Sequence, residues 1–390
     1  MSDSTANRLP TNVRPKHYDL TVVTDLVNST FYGTVKVKLD VQEQTSQIIF
    51  HTKDLELYQL VVYSDVLGIG QTAASTSFDT KTERAIVTLS TALPASSKAV
   101  LDVRFTAGLT DSLIGYYRSV GGTDAKDICS ITQFEPTSAR QALPCWDEPL
   151  LKATFAVTLI SRADTVNLSN MPIVSEVGYA TGLDAWLDGR LANSNDQWKM
   201  TRFETTPPVA QVSFASLLNF DSFADVYIFV GVREWSFCVS GKLLHESSER
   251  ENPTAAFAGF ALDVKRQALV LYEQVFQIEY PLPKLDTLVV SDFDANAMEN
   301  WARSPSESGL ITGRNSAFLL DPKAESLNVK RQIATTVTHE VAHMWLVLFS
   351  DTVLFGNITT MEWWDNLYLN EGFATLMAKV TILGEEQYQI

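Results

Sequence analysis

Cysteine is nearly missing from this 390-residue chain: Cys129, Cys145 and Cys238 are the only three, widely spaced and without a CxxC pair. An odd, sparse set builds no disulfide framework and fits a reducing compartment. Long apolar runs are missing too. The longest, "VYIFVGV" at 226–232, is far short of the roughly 20 residues that cross a bilayer as a helix. The opening stretch, "MSDSTANRLPTNVRPKHYDL", lacks the charged-then-apolar order of a signal peptide, so we expect a soluble cytoplasmic protein. Positive charge is in deficit, with 30 Lys and Arg against 46 Asp and Glu and a net charge of −16. That balance argues against nucleic acid or an anionic membrane as partner and mildly favours cationic ligands. Internal repeats and low-complexity tracts are absent as well. What is present is an ordinary globular composition, 45% hydrophobic and 19% charged, on a chain long enough for more than one core.

The first half reads as strands. In "TVKVKLDV", Val35, Val37, Leu39 and Val41 alternate with Lys36, Lys38 and Asp40, the period-two pattern of a half-buried antiparallel strand. "LDVRF" repeats it with Leu101, Val103 and Phe105, and "YDLTVV", "QIIFHT", "RAIVTLS" and "ATFAVTLI" are further candidates. Two prolines in "TTPPV" (205–209) interrupt the pattern. Beyond them the period changes. "PTAAFAGFALDVKRQALVLYEQVFQ" places Phe260, Val264, Ala268 and Leu271 on one helical face. "LDTLVVSDF" is a short apolar strand, and "LNVKRQIATTVTHEVAHMW" is helical again, with Ile333, Val337, Val341 and Met344 in line. The expected architecture is a multidomain α and β protein: an N-terminal antiparallel β domain over 1–218 and a second, α+β domain over 219–390.

Histidine is scarce, five in all, yet His339 and His343 stand four apart in "HEVAH". On a helix such residues differ by about 40° in azimuth, so the two rings can share one cation. Glu340 lies about 100° around, able to reach a water on that cation without ligating it. A third donor comes from "EWWDNLYLNEGFATLMA", where Glu371 falls on the stripe of Leu367, Ala374 and Ala378. A carboxylate on an apolar stripe is costly without a charge partner. Two imidazoles and one carboxylate leave a fourth position for water, the pattern of a catalytic rather than a structural zinc, one Zn²⁺ per chain.

With "HEVAHMW" and "LNEGFA" side by side, the chain resembles the gluzincin zinc aminopeptidases of the alanyl or puromycin-sensitive type. "NAMEN" (296–300) looks like that family's exopeptidase signature, and "TQFEPTSARQALPCWDEP" (132–149), "RLPTNVRPKHYDL" (8–20), "LSNMP" and "FETTPP" look like further stretches of it, in order along nearly the whole chain. The resemblance implies a partial thermolysin-like catalytic domain behind a saddle-like β domain. It implies His339, His343 and Glu371 as zinc ligands and Glu340 as general base. It also implies Glu299, with Glu135 beside it, gripping the free ammonium of a peptide, and the backbone of Ala297 and Met298 lining the cleft.

Three departures from the family pattern bear on activity. Leu346–Leu354 separates Trp345 from Phe355-Gly356-Asn357, so 27 residues lie between His343 and Glu371, nine more than in the family. "ARSPSES" (302–308) separates Trp301 from "GLITGR", and Asn296 stands where the signature opens on glycine. The sequence stops at Ile390, 19 residues past Glu371, short of the tyrosine that stabilises the oxyanion in the family. Two readings therefore stand: a zinc aminopeptidase acting on peptides with a free N-terminus, its activity weighed down by these departures, or a non-catalytic peptide-binding or interaction fragment of the same family.

Overall fold

The computed structural model describes residues 8–68, 70–121, 127–191, 197–206, 208, 218–220, 226–231, 235–239, 242–245, 253–280, 284–290, 292–300, 308–321, 323, 326–344, 361 and 363–385. The added stretches 302–307 and 346–354 lie outside the described residues, as do Trp301, Trp345, Phe355-Gly356-Asn357 and Ile390. Contacts divide the chain into two compact units. One comprises Met1–Arg118, Ser130–Ser169 and Ile173–Asn219, and the other Ser119–Cys129, Asn170–Pro172 and Phe220–Ile390.

The first unit is built on an eight-stranded sheet, ordered 173–178, 198–203, 154–162, 13–25, 30–41, 97–108, 56–64 and 70–72. Its strands pair antiparallel except for Val13–Asp25 with Thr154–Arg162, which run parallel. The alternation seen in the sequence sets the inward face. Val157, Leu20, Val35 and Val103 lie in register across four strands, and none is more than 2% exposed. One step along, Tyr18 stacks on Phe155 with ring centroids 4.6 Å apart. At about 1.5–3 kcal/mol per buried aliphatic or aromatic side chain, such rows supply most of the sheet's stability. A smaller three-stranded sheet orders 45–51, 84–93 and 75–79.

The motif "SARQALPCWDEP" is structural in this unit. Arg140 is buried against Asp147, Nε to Oδ2 at 2.8 Å, and its Nη1 reaches Glu83 Oε2 at 3.0 Å. Helix α1 (Ala185–Leu191), unforeseen in a stretch read as all strand, packs Leu187 and Leu191 with Val23, Tyr32, Ile160 and Met200. Its start is held by Asp184, whose Oδ1 accepts from the backbone N–H groups of Trp186 and Leu187, the usual service of an N-cap aspartate.

The second unit combines a six-stranded sheet, ordered 242–245, 235–239, 226–231, 284–290, 308–314 and 297–300, with helices. Lys284–Val290 and Ser308–Arg314 run parallel; the other pairs are antiparallel. The helices are α2 (Pro253–Phe276), the single turn α3 (Asn315–Phe318), α4 (Leu327–His343) and α5 (Leu367–Glu385). Val264 and Ala268 of α2, Ile333, Val337 and Val341 of α4, and Ala374 and Met377 of α5 share one apolar core. Among the described residues no helix is long and apolar enough to cross a membrane. The molecule is thus a β-rich N-terminal part with mainly antiparallel sheets, followed by a mixed α and β part carrying helices α2–α5.

Candidate metal centre

Helix α4 begins where Ser326 caps it, its hydroxyl accepting from Val329 N–H at 3.3 Å. The steps of four and three that bury Ile333, Val337, Val341 and Met344 leave His339 and His343 together toward α5. Helix α5 brings Glu371 to the same spot. His339 Nε2 lies 3.0 Å from His343 Nε2 and 3.1 Å from Glu371 Oε2, and His343 Nε2 lies 3.7 Å from Glu371 Oε1. The three donor atoms are mutually within reach of one ion. Four ligands at the tetrahedral zinc distances of about 2.0–2.1 Å stand about 3.3–3.4 Å from one another. The two ring nitrogens at 3.0 Å and His339 with Glu371 Oε2 at 3.1 Å are close to that value, and Oε1, the carboxylate's other oxygen, is the atom 3.7 Å from His343. The donor set fits the metal.

Charge points the same way. Burial lowers His339, but the hydrogen bond to Glu371 and the charges of Glu340 and Glu371 outweigh it, and its pKa rises above 6.5. Burial and the neighbouring His339 push His343 down to about 3, against the pull of Glu371. Burial raises Glu371, and the two imidazoles more than reverse this, holding its carboxyl below the ordinary 4.5. The three groups are thus electrostatically coupled to one another, at the place where a dication would serve all three.

Each ring's other nitrogen has a polar neighbour. His339 Nδ1 lies 3.4 Å from Thr375 Oγ1, and His343 Nδ1 lies 3.3 Å from Glu299 Oε1. Imidazoles that bind metals commonly donate their second N–H in this manner, which fixes tautomer and ring angle. Thr375 was missed in the sequence, although its position four residues beyond Glu371 places it on the same helical face. Behind the helices, the hydroxyl of the fully buried Tyr272 on α2 donates to the Thr338 carbonyl at 3.0 Å and lies 3.0 Å from Thr381 Oγ1, tying α4 to α5.

The remaining expected residues are placed as follows. Glu340 is buried on α4, 5% exposed. Ala297, Met298 and Glu299 lie on the strand Ala297–Asn300, paired with 308–314 so that Glu299 faces Ile311. Within that strand Asn300 is buried with its side-chain amide satisfied: Nδ2 donates to Thr312 Oγ1 and Met298 O. Glu135 belongs to the first unit, in the turn after Gln133, half-buried and joined to Pro136 by a cis peptide bond.

A carboxylate and two imidazoles converging from paired helices, in a unit that also holds a mixed sheet and in a chain whose other unit is β-rich, define a class: metal-site proteins of the zinc-peptidase kind. The chain matches the peptidase M1 N-terminal domain over residues 14–210 and the peptidase family M1 domain over 260–389, and it belongs to peptidase family M1. It is 34% identical over 371 residues to aminopeptidase M1-A of Oryza sativa subsp. japonica, covering 94% of this chain and 37% of that protein. It is 34% identical to endoplasmic reticulum aminopeptidase 1 of Rattus norvegicus, over 96% of this chain and 36% of the relative. Against aminopeptidase N of Bos taurus the identity is 34%, over 94% of this chain and 35% of the relative. The chain thus spans little more than a third of the length of these relatives.

Proposed function

We propose that this chain carries the zinc site and N-terminal substrate grip of a metallo-aminopeptidase, which hydrolyses single residues from the free N-terminus of peptides. The observation that carries the reading is the convergence of His339 Nε2, His343 Nε2 and the Glu371 carboxylate: the nitrogens are 3.0 Å apart, Oε2 is 3.1 Å from His339 and Oε1 is 3.7 Å from His343. These three residues would hold the ion. When bound, Zn²⁺ supplies Lewis acidity toward a carbonyl and acidifies water. Glu340 takes the proton of the attacking water on its carboxylate and passes it to the nitrogen of the leaving amine. Glu299 and Glu135 receive the substrate's ammonium, and the backbone of Ala297 and Met298 lines the cleft. A domain boundary at 218/219 and a cytoplasmic location complete the proposal, the latter supported by the sparse, odd cysteine set. Relatives named for the endoplasmic reticulum and the mitochondrion mean that compartment is not shared across the family.

The nine added residues between His343 and Glu371 favour a second reading, a non-catalytic peptide-binding module. It expects peptide binding that neither a chelator nor Glu340→Gln alters. The deciding experiment measures zinc per chain and turnover of fluorogenic amino-acid amides. We expect one zinc per chain and a loss of about 10²–10⁴-fold in Glu340→Gln, with zinc retained and no cleavage of peptides with a blocked N-terminus. A folded preparation without zinc, or a Glu340→Gln variant as active as wild type, ends the catalytic reading.

A further inference from the structure

We propose that Glu299 is a positioning residue for His343: its carboxylate accepts the Nδ1–H of the ring and thereby turns the Nε2 lone pair toward His339 and Glu371. The inference rests on the metal-site reading above and adds to it a role for the acid that the sequence assigned to substrate ammonium alone. The contact runs from His343 Nδ1 to Glu299 Oε1 at 3.3 Å, between side chains that are only 2% and 10% exposed. Water therefore competes little for it.

Both partners are fixed by their backbones. His343 closes helix α4, and Glu299 sits in register opposite Ile311, on a strand that packs against the same helix. A neutral imidazole carries its proton on one nitrogen only. An acceptor at Nδ1 selects the tautomer with a bare Nε2, which is the nitrogen within 3.0 Å of His339 and 3.7 Å of Glu371. The opposite tautomer would direct a proton into the donor triangle and face a carboxylate with a lone pair.

The two rings are anchored differently. The neutral hydroxyl of Thr375 stands 3.4 Å from His339 Nδ1, whereas His343 has an acid. A carboxylate within this distance fixes the ring's angle more firmly than a lone hydroxyl at 3.4 Å, so His343 is the more tightly oriented of the two nitrogen donors. Nor does this role exclude ammonium binding: a carboxylate has about four lone-pair sites on its two oxygens. The same side chain would then couple the amino-terminal end of the substrate to the metal.

The test uses the full chain and compares Glu299→Ala and Glu299→Gln with wild type by chelator competition for zinc. Loss of a partner of this kind costs about 10–100-fold in metal affinity. We expect that loss in Glu299→Ala, and near-wild-type affinity in Glu299→Gln, whose amide oxygen still accepts from Nδ1–H. If Glu299→Gln weakens zinc as much as Glu299→Ala, charge attraction replaces positioning and the proposal falls. If Glu299→Ala leaves affinity within about twofold of wild type while wild type binds zinc, it also falls, with the metal reading intact. Wild type without zinc overturns both. A second readout needs no metal: ¹⁵N spectra of the five histidines should show His343 protonated on Nδ1 in wild type and Glu299→Gln, and a mixture of tautomers in Glu299→Ala. Unchanged tautomers in Glu299→Ala would overturn the assignment directly.

Discussion

His51 shows what a single buried side chain does to the acid response of the unit that holds it. It ends the strand Thr45–His51 and is clasped to Cys145 by two backbone hydrogen bonds, His51 N–H to Cys145 O at 2.8 Å and the reverse at 3.1 Å. Burial, then the nearby guanidinium charges of Arg140 and Arg84, push its pKa from 6.5 down to about 2. In the unfolded chain the ring takes its proton near 6.5, while in the folded protein it stays neutral. Stability is therefore fully present above 6.5 and is lost as pH falls below it, by about 1.4 kcal/mol for each pH unit. The urea midpoint should drop steeply on acidification below 6.5, and His51→Asn should flatten that slope. Equal slopes in the two proteins would remove His51 from the account.

At the scale of elements, the strand that carries Glu299 depends on one glycine. Gly313 faces Ala297 in the register, and a Cβ there would meet Phe318 at 2.5 Å and the Asn296 carbonyl oxygen at 2.6 Å. The second of these is backbone and cannot rotate away. Gly313→Ala should cost about 1–3 kcal/mol, as overpacking does, and should also weaken zinc binding, because the displaced strand carries the anchor of His343. A variant that loses stability but keeps wild-type zinc affinity would separate strand from site.

The same element marks where the sequence stopped being legible. Helices α2, α4 and α5 could be read from spacing because their apolar stripes are local, and so could the meeting of His339, His343 and Glu371. The strand 297–300 could not. Its one asparagine, Asn300, is accommodated because Thr312, twelve residues on, accepts from it at 3.2 Å. Nor could α1, whose seven residues hold too few apolar positions for a period to emerge. The ring anchors failed for a third reason: Glu299 and Thr375 reach the imidazoles across elements, and a motif records the ligand while leaving its supporting partner unnamed.

For the molecule as a whole, the two compact units differ in what can stabilise them. The first draws on sheet rows such as Val157, Leu20, Val35 and Val103, and on the buried Arg140–Asp147 pair. The second holds all three donor residues, so an ion that binds only the folded state acts on that unit directly. At 100 times its dissociation constant a ligand adds about 2.7 kcal/mol, which for a unit of this size moves a midpoint by about 2–4 °C per kcal/mol. Scanning calorimetry with and without zinc should show two transitions, of which one shifts upward by about 5–11 °C while the other stays in place. Glu371→Ala should abolish the shift without moving the zinc-insensitive transition. If zinc moved both transitions equally, or if Glu371→Ala left the shift intact, the ion would be binding elsewhere, and the triangle of α4 and α5 would lose its claim to it.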